Sequence, residues 1–229
     1  MTDHRIPGSV ERMTVRQRID HGLLMVILLL LISSGLALVY HEHAWAQWLI
    51  GAMGGLEGRH LVHRASAVGL ILLGALHALN FLTSARYRAD LKAMKVSSGD
   101  FAEGFRGWLF GLTGRGDRPR YGRFTPMQKF QYWGILAGCA LMAVSGLVLW
   151  SPQLSLRFLH KSVVDVMLVI HSSQAQVIFI MLILWHLYDV HVAGGNFPMN
   201  PAWLTGRMKA DLYARQHAGD AEARGKVAP

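Results

Sequence analysis

Two histidines, His171 and His186, stand inside a run of 23 uncharged residues, Val166 to Tyr188, bracketed by Asp165 and Asp189. Such a run is long enough to cross a bilayer core as one helix. The two residues are 15 positions apart, which at about 1.5 Å of rise and 100° of turn per residue puts their rings roughly 22 Å apart along the axis and about 60° apart in facing. One side of that helix therefore offers an imidazole near each membrane surface. His63 and His77, 14 positions apart, repeat the arrangement with about 21 Å of rise and about 40° of facing difference. A fifth histidine, His21, opens the first apolar run. An ionisable side chain at such depth points to function, because hydrocarbon gives it no partner.

Two neutral imidazoles that meet across a bundle can take both axial positions of a haem iron. Ligation of that kind leaves no open position for oxygen or substrate, so the haem carries electrons, and two haems at opposite depths make a path across the membrane. At the outer level His63 and His171 match in depth, each near the start of its helix. At the inner level His186 has two candidate partners. His21 lies three residues from Arg18 as His186 lies three from Asp189, which matches their depths; the likeness of helices 2 and 4 favours His77. Arg59 and Arg64, beside His63, either neutralise carboxylates of an outer haem or are plain topology signals. The competing chemistry is a non-haem membrane protein whose histidines bind metal ions or relay protons. The single cysteine, Cys139, leaves no thiolate set for an iron-sulfur cluster and no C-x-x-C-H for covalent haem. His60 and His191 read as boundary residues, and His4, His41, His43, His160 and His217 as solvent or interface residues. The eleven methionines read as packing.

The elements that must hold these rings are plain in the composition. The chain is 52% hydrophobic and 16% charged, and the apolar residues are blocked rather than periodic. Uncharged runs at 22–40, 65–85, 130–156 and 166–188 predict an all-α, integral membrane four-helix bundle with short interfacial helices. A net charge of +9 is concentrated before the first run, between the second and third, where ten basic residues lie from Arg86 to Lys129, and after the fourth. The other two connections hold only Arg59, Arg157 and Lys161. That asymmetry predicts topology rather than nucleic-acid binding: both termini and the long middle loop cytoplasmic, the other two connections periplasmic. The domain reading is a cytoplasmic segment at 1–20, the di-haem membrane domain at 21–193 and a cytoplasmic tail at 194–229. Twenty mostly polar residues before the first run, with no small-residue cleavage pattern after it, predict a retained helix rather than a signal peptide. His41 to Trp48 reads as interfacial, Phe101 to Phe110 as a segment lying on the cytoplasmic leaflet, and 114–123 as irregular. Pro126 suits the first turn of helix 3. Past the breakers at 194–201, Ala202 to Arg215 reads as one surface helix and Ala218 to Pro229 as a frayed tail.

Helices 1 and 3 overlay as a duplication. Gln17-Arg18 and Gln128-Lys129 each begin 18 positions before a glycine, in Ser34-Gly35-Leu36 and Ser145-Gly146-Leu147, and each half continues into a helix with two spaced histidines. Internal repeats tend to place sites between the halves. The repeat fails at His21, which aligns with Tyr132.

With Gln17-Arg18-x-x-His21, His63-Arg64, Gln128-Lys129, Ser145-Gly146-Leu147 and the paired histidines of helix 4 followed by Leu187-Tyr188, the chain resembles the cytochrome b (gamma) subunits of respiratory formate dehydrogenases and nickel-iron hydrogenases over nearly all of residues 10–215. The resemblance implies a di-haem, quinone-reactive cytochrome b in a bacterial cytoplasmic (inner) membrane. It implies His21 with His186 on the inner b-type haem and His63 with His171 on the outer. It also implies a menaquinone or ubiquinone pocket near the start of helix 3, at Arg123, Thr125 and Gln128. Two departures stand out: the helix 4 histidines, 15 apart, are spaced one residue wider than is usual in the family, and Thr125 and Met127 replace the usual Asn and Gly. The expectation is an electron-transfer subunit that anchors a periplasmic iron-sulfur or multihaem cytochrome c subunit and exchanges electrons with quinone. A stand-alone di-haem quinol oxidoreductase is the alternative of the same chemistry.

Overall fold

The computed structural model describes residues 8–116 and 119–223; His4, Arg5, Arg118, Arg224 and Lys226, read above as solvent or charge signals, lie outside them. The described chain is all-α apart from one short strand pair, and four of its helices are long and apolar enough to cross a membrane. These are α1 (Val15–Val39), α3 (Gly55–Thr83), α6 (Pro126–Leu149) and a composite fourth helix made of α8 (Lys161–Ile180), a π-helical segment (Met181–His186) and α9 (Leu187–His191). Between α1 and α3 lies α2 (Ala44–Ala52), within the segment expected to be interfacial, with Trp48 73% exposed. Between α3 and α6 lie α4 (Ala85–Ala93) and α5 (Ser98–Thr113), so the aromatic stretch 101–110 is helical. A one-turn α7 (Pro152–Ser155) precedes α8.

The long helices are apolar on nearly every side. Leu29 and Leu184 are 68% and 70% exposed, a pattern that suits lipid, since a helix hydrophobic all round is either deeply buried in protein or in a membrane.

The chain falls into two compact units, with divisions inside the long helices. One comprises residues 19–79 and 135–187 and contains His21, His63, His77, His171 and His186. The other comprises residues 1–18, 80–134 and 188–229.

In the second unit both helix starts of the sequence repeat carry the same device. The Thr14 amide donates to Gln17 Oε1 at 2.9 Å while the Gln17 amide donates to Thr14 Oγ1 at 3.2 Å. Thr125 and Gln128 repeat the reciprocal pair at 3.2 Å each way, with Pro126 in the first turn. Each box satisfies two of the amides that a helix start leaves without partners.

The C-terminal region differs from the sequence reading. Ala202 to Arg215 is not one surface helix but α10 (Ala202–Thr205), β2 (Arg207–Lys209) and α11 (Ala210–Gln216). Gly206 breaks it, at a φ of +79° that other residues rarely adopt, and its carbonyl accepts from the Arg12 and Met13 amides. Strand β2 then pairs antiparallel with β1 (Ser9–Glu11), Val10 opposite Met208. The segment from Ala218, expected as frayed, is helical through Ala223 as α12. Val10, Met208, Tyr213 and Ala221 form a small core, each no more than 2% exposed. That core is the physical reason for the order: apolar side chains far apart in sequence give the termini something to bury.

His217, expected at solvent, is 1% exposed. Its Nδ1 lies 2.9 Å from Gly122 O and its ring packs 4.8 Å from that of Tyr213. Burial first, then the nearby Arg12 charge, pushes its pKa down from 6.5 to about 4. The unfolded chain therefore binds a proton that the folded unit refuses. The contribution of this neutral ring to stability is full above about pH 6.5 and is lost as pH falls through about 4. We expect proteolytic cleavage around residues 210–223 to rise over that window, and His217→Gln to flatten the dependence.

Charge in this unit is held in networks. Asp90 accepts from Arg123 Nε at 2.7 Å, from Gln17 Nε2 at 2.8 Å and from Arg86 Nε at 3.3 Å. Arg12 donates to Arg123 O at 2.6 Å and stacks over Phe124 and Tyr213; burial above all pushes its guanidinium down to about 10. Asp100 meets Lys129 at 2.7 Å. Burial alone would raise its carboxyl, but the Lys129 and Ser97 donors hold it below the usual range.

Candidate functional site

Within the unit of residues 19–79 and 135–187, four of the histidines come together in two pairs, each from different helices. His63 of α3 and His171 of α8 have ring centres 6.3 Å apart, with an interplanar angle of 69°. His21 of α1 and His186, at the end of the π-helical segment, have centres 6.1 Å apart at 43°. All four rings are half-buried. Imidazole bonds to a first-row metal are about 2.0 Å on each side, so with roughly one ångström from each nitrogen to its ring centre, a shared ion sets the centres roughly 6 Å apart. Both pairs have that separation. Of the two inner partners the sequence left open, the structure puts His21 against His186; His77 is half-buried on α3.

The outer pair has a second layer that sequence reading missed. Ser34 Oγ lies 2.9 Å from His63 Nδ1, and Ser145 Oγ lies 2.9 Å from His171 Nδ1. Each hydroxyl has one proton, and each is 2.6 to 2.8 Å from a carbonyl of its own helix, Leu30 O and Leu141 O respectively. The hydroxyl donates to that carbonyl, so its oxygen accepts from Nδ1–H of the histidine. Nε2 is left unprotonated in both rings, which is the state a metal ligand needs. Both serines are fully buried. The glycine that follows each makes room: a Cβ at Gly35 would lie 3.6 Å from His63 Cε1, and one at Gly146 would lie 3.1 Å from His171 Cε1. The Ser-Gly repeat was visible in the sequence; what it touches was not.

The π-helical segment accounts for the unequal histidine spacing. A π turn takes up one extra residue relative to an α-helix, so His171 to His186 advances in facing like 14 α-helical residues rather than 15. That turns the expected facing difference of about 60° into roughly 40°, the value for His63 and His77. The irregular segment ends on His186 itself.

Other proposed site residues have defined surroundings. Arg64 Nη2 donates to Trp150 O at 2.5 Å and its guanidinium sits 4.8 Å over the Trp150 ring, a cation placed just past the carbonyl end of α6. Arg123 is engaged by Asp90, and Thr125 with Gln128 forms the capping box. His41, His43 and His160 are exposed; His160 caps α8 by accepting from the Ser162 amide. Among the described residues no three His, Cys, Asp or Glu side chains gather as a metal cluster. Imidazoles that meet only in twos suit a flat metal complex that brings its own four equatorial donors.

No curated protein matches the chain. Residues 106–194 match the family model described as prokaryotic cytochrome b561, a stretch that contains α6, His171 and His186. That stretch is similar to the prokaryotic cytochrome b561 family, in line with the cytochrome b resemblance read from the sequence.

Proposed function

We propose that the protein is a membrane-anchoring di-haem cytochrome b that passes electrons between a periplasmic redox subunit and the quinone pool of a bacterial inner membrane. The observation that carries this reading is the occurrence of two histidine pairs, with centres 6.1 and 6.3 Å apart, each drawn from separate membrane helices. His21 and His186 hold the inner haem, His63 and His171 the outer; the haems supply one-electron chemistry when bound. Ser34 and Ser145 keep the outer rings in the ligating tautomer. The apolar bundle excludes water and keeps both levels desolvated. Charge asymmetry along the chain favours cytoplasmic termini, which puts the outer pair on the periplasmic side where a redox partner docks. Quinone is the membrane-side partner implied by the family resemblance.

A reduced-minus-oxidised visible spectrum with a haem assay tests the reading: b-type bands and two haems per chain are expected, and purified protein without such bands ends it. His21→Ala is expected to lose the inner haem while His77→Ala retains both. Purification in mild detergent tests the partner, since a single chain with full quinol activity favours the stand-alone oxidoreductase. The two glycines give a sharper check on the outer level. Gly146→Val is expected to lose the outer haem, because even a Cβ there stands 3.1 Å from the His171 ring. Gly35→Ala, at an ordinary contact of 3.6 Å, is expected to keep it, as haem content will show.

A further inference from the structure

Arg59 carries a charge that no described residue of this chain neutralises. The residue is 8% exposed, its Nη1 donates to Ser34 O at 3.0 Å, and its buried Nε has no acceptor among the described residues. Among the described residues no Asp or Glu is ion-paired with it. A guanidinium does not shed its proton, so the charge is permanent, and a buried charge persists only beside a compensating one.

Its position says what the compensation is for. Arg59 is four residues before His63 on α3, hence on the same helix face. Ser34 joins them, its carbonyl accepting from Arg59 and its hydroxyl accepting from His63. The other half of the repeat has no such cation, because Met167 stands four residues before His171. Arg64 is occupied by the Trp150 carbonyl and ring. The outer pair therefore has one fixed positive charge on the His63 side, with its Nε edge unused. That edge of a guanidinium presents parallel N–H donors matched to the two oxygens of a carboxylate.

We propose that Arg59 is the counter-cation of a carboxylate on the haem held by His63 and His171, and that it raises the reduction potential of that haem. The proposal rests on the di-haem reading. Removing the cation leaves the carboxylate charge uncompensated beside the iron, which favours the oxidised, more positive state.

The test is a potentiometric titration of the full-length protein in nanodiscs of zwitterionic lipid, followed in the visible bands. The outer couple is identified as the one missing from His171→Ala. Arg59→Gln is expected to lower the outer midpoint by the equivalent of about a tenfold change in the reduction equilibrium, about 59 mV for one electron, with the inner midpoint unmoved. Arg59→Lys, which keeps the charge, is expected to retain most of the potential. If Arg59→Gln sheds the outer haem, retention by Arg59→Lys supports the proposal, and loss from both shows a structural role and overturns it. An outer midpoint that does not move in Arg59→Gln overturns it and leaves the di-haem reading standing. A shift that appears only with anionic lipid assigns the charge to a lipid phosphate and also overturns it. Wild-type protein without b-type bands removes the di-haem reading itself.

Discussion

His171→Ala is expected to yield a folded membrane protein with one b-type haem in place of two. The replaced ring faces His63 with centres 6.3 Å apart, and with one axial imidazole gone the outer level has no second protein ligand. The inner pair is His21 with His186, so its spectrum should survive. Haem per chain by extraction, with midpoint titration, checks both statements. Ser145→Ala is the graded companion. It deletes the acceptor that holds His171 Nδ1–H at 2.9 Å but leaves the ligand, and loss of such an outer partner typically costs about 10–100-fold in metal affinity. A serine variant with unchanged haem retention would show that the hydroxyl merely packs against the ring.

The second large effect is expected far along the chain from the histidines. Asp90→Ala should destabilise the unit of residues 1–18, 80–134 and 188–229 by about 3–5 kcal/mol, the cost of breaking a buried ion pair by removing one partner. Asp90 is bonded to Arg123 at 2.7 Å, with side chains 13% and 8% exposed, and it also serves Gln17 and Arg86. Its loss strands a guanidinium that water barely reaches. Glu11 provides the contrast. Its contact with Arg86 spans 3.8 Å with a 52% exposed carboxylate, and pairs of that kind contribute about 0–1 kcal/mol. Thermal unfolding with protease susceptibility of the C-terminal segment should separate Asp90→Ala from Glu11→Gln clearly. Equal melting of the two variants would mean that the Asp90 network is not what holds this unit.

The same network gives Arg123, Thr125 and Gln128 local tasks. Arg123 is held by Asp90, and Thr125 with Gln128 caps α6 as Thr14 with Gln17 caps α1. The duplicated Gln-Lys and Gln-Arg pairs thus include a helix-start signal. The spacing of Thr and Gln three residues apart in both halves made that reading available in the sequence, since a capping box is a local pattern.

Much of the architecture was legible without coordinates because membrane helices are specified locally. A backbone in hydrocarbon must satisfy its own polar groups, so long uncharged runs fix the number of spans, and helical rise fixes the depth of each histidine. The two-level arrangement of imidazoles, the Ser-Gly duplication and the concentration of basic residues in two connections all followed from spacing and composition. Contacts between distant segments did not. Whether His21 or His77 faces His186 depends on how α1, α3 and the fourth helix are rotated, and a one-residue π insertion changes that rotation without any mark in the apolar pattern. The hydroxyls of Ser34 and Ser145 acquire meaning only beside rings 29 and 26 residues away. His217 looked like a solvent residue in a polar tail, yet pairing of β1 with β2 gave the termini a shared core that encloses it. Sequence alone determined the spans and the spacing of the histidines along them, because these are properties of single helices; tertiary structure decided which rings and hydroxyls meet and which are buried, because each requires two segments to meet.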